Sequence, residues 1–154
     1  MRRILTVSLS MAVALTLGAC GDGGTGPSGD DGSDGGSGGG SGGGRSILPD
    51  PSFSGVIQEI FTRRGCASGS CHGTALAGGL DLRTGSSYAN LVNVGSNQVS
   101  TLRVIPGNAN DSYLIVKVEG RQSVGQRMPI GGSPLDNIDL TNLKNWINQG
   151  AKNN

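Results

Sequence analysis

The sequence predicts a small all-α domain of short helices and long loops, carried behind an export signal and a disordered Gly/Ser linker. Three observations predict it. Apolar residues recur at helical spacing near both ends of the segment 47–154. Glycine, proline and capping residues punctuate that segment so often that no helix between them is long. The stretch before it holds no apolar side chain to bury and belongs to no core.

The chain begins with Arg2 and Arg3 and an apolar run from Ile4 to Leu17, too short to span a bilayer. Leu17-Gly18-Ala19-Cys20 closes residues 1–19 with small residues set against a cysteine, and looks like the lipobox of a bacterial lipoprotein. Cys20 is then the lipidated first residue of the mature chain. Residues 20–46 form the linker: 14 of the 24 residues from 21 to 44 are glycine, and the rest are Asp, Ser, one Thr and one Pro. No second apolar stretch approaches a membrane span, so the protein reads as anchored and not integral. Gly21 stands where an aspartate would favour inner-membrane retention, which points to the outer membrane, facing the periplasm or the cell surface. The domain proper, 47–154, is of ordinary single-domain size.

Within it, Pro51-Ser52-Phe53-Ser54 starts a helix, with proline tolerated in the first turn and serines able to cap. Phe53, Val56, Ile57, Ile60 and Phe61 make its apolar stripe, and Gly65 ends it. Residues 66–73 are turn-rich. Ser86-Ser87 caps a short helix through Tyr88, Leu91 and Val92. Leu102–Ile105 reads as extended and stops at Pro106-Gly107. Asn110 or Asp111 caps a helix from Tyr113 to Glu119, closed by Gly120. A loop over 121–134 carries Met128-Pro129. Asp136 begins the last helix, with Asp139 near its positive end, Ile138, Leu143, Trp146 and Ile147 on its apolar face and Gly150 as its stop. No internal repeat is present.

Composition excludes further classes. Nine Lys/Arg against seven Asp/Glu give 47–154 a net charge of +2, which is no nucleic-acid signature. Phe53, Phe61, Tyr88, Tyr113 and Trp146 are all its aromatics, a thin core that a cofactor would fill. With Cys20 lipidated and Met1 and Met11 lost with the signal, the mature chain keeps one cysteine pair (Cys66, Cys71), one histidine (His72) and one methionine (Met128).

Those four side chains are what covalent c-type haem attachment with His/Met ligation needs. Two thiols add to the porphyrin vinyl groups, and a histidine directly after the second cysteine reaches the iron. Cys71-His72 meets that requirement, although four residues separate the cysteines where two are usual. Gly69 and the small Ala67, Ser68 and Ser70 let the longer loop bulge. The competing reading is a local Cys66–Cys71 disulfide in a binding or structural lipoprotein without haem, with His72 a bystander. The spacing alone leaves both open. Met128 tips the balance: it lies 56 residues past His72 in a Gly/Pro loop, with Pro129 biasing it away from helix, whereas a gap-filling methionine more often sits on a helix stripe.

Cys66-x4-Cys71-His72-Gly73, Arg127-Met128-Pro129 and Asn145-Trp146-Ile147-Asn148-Gln149-Gly150-Ala151 together resemble a c-type cytochrome domain, of the lipoprotein-anchored or modular kind with a wide Cys-x4-Cys-His site. The resemblance covers residues 50–152. It implies a small cytochrome c-like fold around one haem, thioethers at Cys66 and Cys71, His72 as proximal and Met128 as distal iron ligand, and first and last helices crossing near one haem edge. It further implies an electron carrier and not an enzyme, since peroxidase-like chemistry would require Met128 to leave the iron. Its partners are then an unidentified redox protein and the membrane through the lipid, with no nucleic acid.

Other chemistries fit less well. A thiol–disulfide oxidoreductase wants Cys-x-x-Cys at a helix N-terminus in a βαβ setting. Zinc wants a fourth donor that the domain's Cys and His residues do not supply. Arg63-Arg64 reads as a solvated helix end, with a haem propionate or an acidic redox partner as the other possibility. Trp146 reads as core packing.

Overall fold

The computed structural model describes residues 44–154. The expected signal peptide, Cys20 and all but the end of the expected Gly/Ser linker lie outside the described residues. The described fold is helical, and β-pairing within it is limited to isolated bridges, Val92 with Val104 and Gly95 with Leu102. A π turn (Phe53–Ile57) runs into α1 (Gln58–Arg63); a short 3₁₀ turn (Ala77–Gly79) follows, then α2 (Ser87–Leu91), α3 (Tyr113–Glu119) and α4 (Asn137–Asn148).

The first helix forms where its stripe places it, but it starts differently. Ser52 makes no side-chain cap. Instead the last residue of the chain closes the helix start: Asn154 accepts from the Phe53 N–H through its side chain (2.9 Å) and from the Ser54 N–H through its carbonyl (2.8 Å). These are N–H groups that a helix start leaves without an internal partner. The Ser52 carbonyl takes both the Val56 and Ile57 N–H, which widens the first turn. Phe53, Ile57, Ile60 and Phe61 are buried, and Gly65, at φ +69, ends the helix.

At the other end Asp136 caps α4 by accepting from the Asp139 N–H at 2.9 Å. Leu143, Trp146 and Ile147 are buried, whereas Ile138 is half-exposed near the helix start. Burying each such side chain contributes about 1.5–3 kcal/mol. α4 packs against the opening π turn. The Trp146 and Phe53 rings lie 5.2 Å apart, Tyr88 meets Phe53 edge-on at 5.1 Å, and the Trp146 indole N–H donates to the Lys152 carbonyl. Trp146 is core.

Between these ends, residues 102–105 are extended, with Val104 paired to Leu91 and Asn93 on one side while the Arg103 carbonyl accepts from the Leu114 N–H on the other. The start of α3 differs from expectation. Ser112, and neither Asn110 nor Asp111, stands at its N-cap, and its hydroxyl bonds Ile105 and Asn108 in place of the helix. Ser86 likewise makes no cap bond, and Ser87 is buried with its hydroxyl on Gln58. Gly120, at φ +78, ends α3. Arg45 pairs with Asp136 and Asp139. Asn142 takes the Leu48 N–H and donates to the Ser46 carbonyl, so the linker's last residues are held on α4.

Candidate functional site

The Cys66–Gly73 segment is a knot of short backbone bonds. The His72 N–H donates to the Cys66 carbonyl (3.0 Å), so the four residues between the cysteines loop out and return to the neck from which they left. The Cys71 and Gly73 N–H groups both donate to the Ser68 carbonyl. Gly73 is required here. A Cβ on it would lie 2.5 Å from both the Ala67 and Ser68 carbonyl oxygens, and backbone cannot give way as a side chain can.

His72 leaves this knot in a defined state. Its Nδ1 lies 2.8 Å from the Ala77 carbonyl oxygen, which only accepts, so Nδ1 carries the proton and Nε2 presents a lone pair. Burial pushes the imidazole pKa down, against the Ala77 bond and reinforced by the nearby Arg103 and Lys117 cations. A neutral histidine with its far nitrogen oriented and free is the form that ligates metals. Cys66 is a half-buried free thiol whose pKa burial raises from 9.0 to about 11. With Cys66 a free thiol, the local Cys66–Cys71 bridge of the cofactor-free reading is not formed.

Cys66 and His72 open onto a cavity of about 270 Å³, or about 1070 Å³ with its open mouth included. Met128 lines the same cavity. The loop that carries it is tied to α3 by the Met128 N–H on the Lys117 carbonyl (2.9 Å) and closed on itself by Arg127 donating to Gly132. Phe61, Leu82, Leu91 and Leu143 supply apolar walls, and Ile130 stands exposed at the lining. The fold thus brings together three of the four residues singled out in the sequence, with Cys71 beside them in the loop but off the lining.

Among the described residues no three His, Cys, Asp or Glu side chains converge to hold a bare metal ion. A haem iron asks less of the chain, because the porphyrin supplies four nitrogens and the protein only the axial pair. An apolar cavity with an oriented imidazole and a thioether on its lining fits that group.

Two cavity residues were not legible as such: Arg103 and Lys117, both buried and both lining it. Their signal was a single cation inside an apolar run, Leu102-Arg103-Val104-Ile105 and Ile115-Val116-Lys117-Val118. Arg63 and Arg64, read from the sequence as a solvated helix end, are off the lining. Arg63 pairs with Glu59 and Asp139, and Arg64 donates to the Ser133 and Pro134 carbonyls. Comparisons of the chain with protein-family models, with curated proteins and with solved structures found no match.

Proposed function

We propose that residues 47–154 are a c-type cytochrome domain that carries one electron at a time, tethered to a membrane through lipidated Cys20. The observation that carries this reading is that His72 and Met128, 56 residues apart, line one apolar cavity together with Cys66. Haem, when bound, supplies an iron that alternates between ferric and ferrous at a potential set by its axial ligands and surroundings. His72 supplies the neutral Nε2, held by the Ala77 carbonyl. Met128 supplies the thioether, held by its backbone bond to Lys117. Cys66, a free thiol in the structure, and Cys71 would hold the ring through thioethers. The apolar walls keep water from the ring and fill a core short of large side chains. His72 and Met128 would both be engaged in holding the iron, a role that suits electron transfer rather than catalysis. No helix among the described residues is long and apolar enough to cross a membrane. Attachment to the outer membrane then rests on Cys20.

The test is to export the full chain from a host with a haem-attachment system and extract it with acidified organic solvent. Colour that stays with the chain, and a mass raised by one haem, support the reading. A colourless chain of unmodified mass overturns it in favour of a cofactor-free lipoprotein.

A further inference from the structure

Arg103 and Lys117 are the two most deeply buried cations of the domain, each 8% exposed. Neither has a carboxylate within ion-pair distance among the described residues. Arg103 donates to the Asn90 carbonyl (2.8 Å) and the Gly79 carbonyl (3.0 Å). Lys117 donates to the Val124 carbonyl at 3.3 Å, and its Nζ lies 5.8 Å from the Tyr113 ring centroid. Carbonyl dipoles orient these charges without cancelling them, and a buried charge without a counter-charge is costly.

The domain has no acid to spare. Asp50 pairs with Lys152, Glu59 with Arg63, Asp81 with Arg83, Glu119 with Arg121 and Lys144, and Asp136 and Asp139 with Arg45. The remaining acid, Asp111, is bonded by Asn108 and Asn110 at the surface. The contrast with Asp139 is direct: that buried carboxylate has arginines around it, whereas the two buried cations face no carboxylate among the described residues. Both line the cavity.

We infer that Arg103 and Lys117 form an anion subsite within the cavity that pairs with the carboxylates of a flat, apolar ring acid. On the cytochrome reading, from which the ligand's identity is taken, those carboxylates are the two haem propionates. The cations then fix which edge of the ring points inward, and their charge favours the ferrous over the ferric iron.

Two arms test this on the full chain. In the haem-loaded protein, Lys117→Gln removes a positive charge beside the ring and shifts the ferric-to-ferrous ratio at fixed potential about tenfold toward ferric, equivalent to about 59 mV for one electron. Lys117→Arg restores it. An unchanged midpoint in Lys117→Gln overturns the subsite. In the second arm the chain without haem is titrated with metal-free protoporphyrin IX and with its dimethyl ester, followed by quenching of Trp146 fluorescence. The free acid binds at least tenfold tighter than the ester, and Lys117→Gln and Arg103→Gln narrow the difference. Equal binding of acid and ester, or binding of neither, overturns the subsite. A colourless exported protein that still prefers the acid sinks the cytochrome reading and leaves the subsite standing. The wild-type comparison of acid with ester needs no variant to fold.

Discussion

Keeping haem off the chain, by the double change Cys66→Ser and Cys71→Ser in a host without attachment machinery, removes the cavity's occupant and leaves the sequence otherwise intact. The cost follows from the cavity itself. At about 24 cal/mol per Å³ of cavity that its walls do not collapse to fill, 270 Å³ corresponds to about 6 kcal/mol, an upper figure because the cavity has a mouth. A small domain has a total stability of about 5–15 kcal/mol, so the haem-free chain sits near its unfolding threshold. Loaded and haem-free chains are compared by urea unfolding followed through Trp146 fluorescence. With a slope of about 2 kcal/mol per molar urea, the loss moves the midpoint down by about 3 M. A haem-free chain that unfolds cooperatively within about 1 kcal/mol of the loaded one would refute the reasoning, since it would mean the cavity needs no occupant.

Met128→Ala leaves covalent haem in place, abolishes the thioether-to-iron absorption at the red end of the oxidised spectrum and lowers the midpoint potential; survival of that absorption removes Met128 as ligand. Gly73→Ala drives a Cβ into two backbone carbonyls and so prevents haem attachment, read as loss of covalent colour on a denaturing gel. In the haem-free chain, Cys66 alkylation stays slow at pH 9 and rises only toward pH 11, because burial favours the protonated thiol. The same shift makes folded-state stability fall as pH rises from the unfolded thiol value near 9 toward 11, where the unfolded chain binds fewer protons. Asp139→Ala releases the bonds to Arg63 (2.7 Å) and Arg45 (3.0 Å) and costs about 2 kcal/mol in urea, with no change in the haem spectrum.

What the sequence revealed and what it hid divide by range. The apolar stripes of α1 and α4, the Asp136 cap and the glycines at 65 and 120 are local signals, and each acts within a few residues of itself. The cap of the first helix was illegible because its partner is Asn154, 101 residues away. Asp139 read as a charge favourable to its own helix, yet its main role is to receive arginines from the linker end and from α1. Arg103 and Lys117 entered the sequence reading only as two units of net charge, because whether a cation is buried depends on what packs over it. Cys66, His72 and Met128 were legible because they are scarce. In a chain with one histidine and one mature methionine, a ligand pair has no other members.

The central claim is most directly tested by the visible spectrum of the purified full chain, oxidised and then reduced. The account predicts a Soret band that sharpens on reduction, two narrow bands between green and yellow in the ferrous form, and a weak red thioether-to-iron band that is present only when oxidised. A protein without visible absorbance, or one whose oxidised form lacks the thioether band, contradicts it.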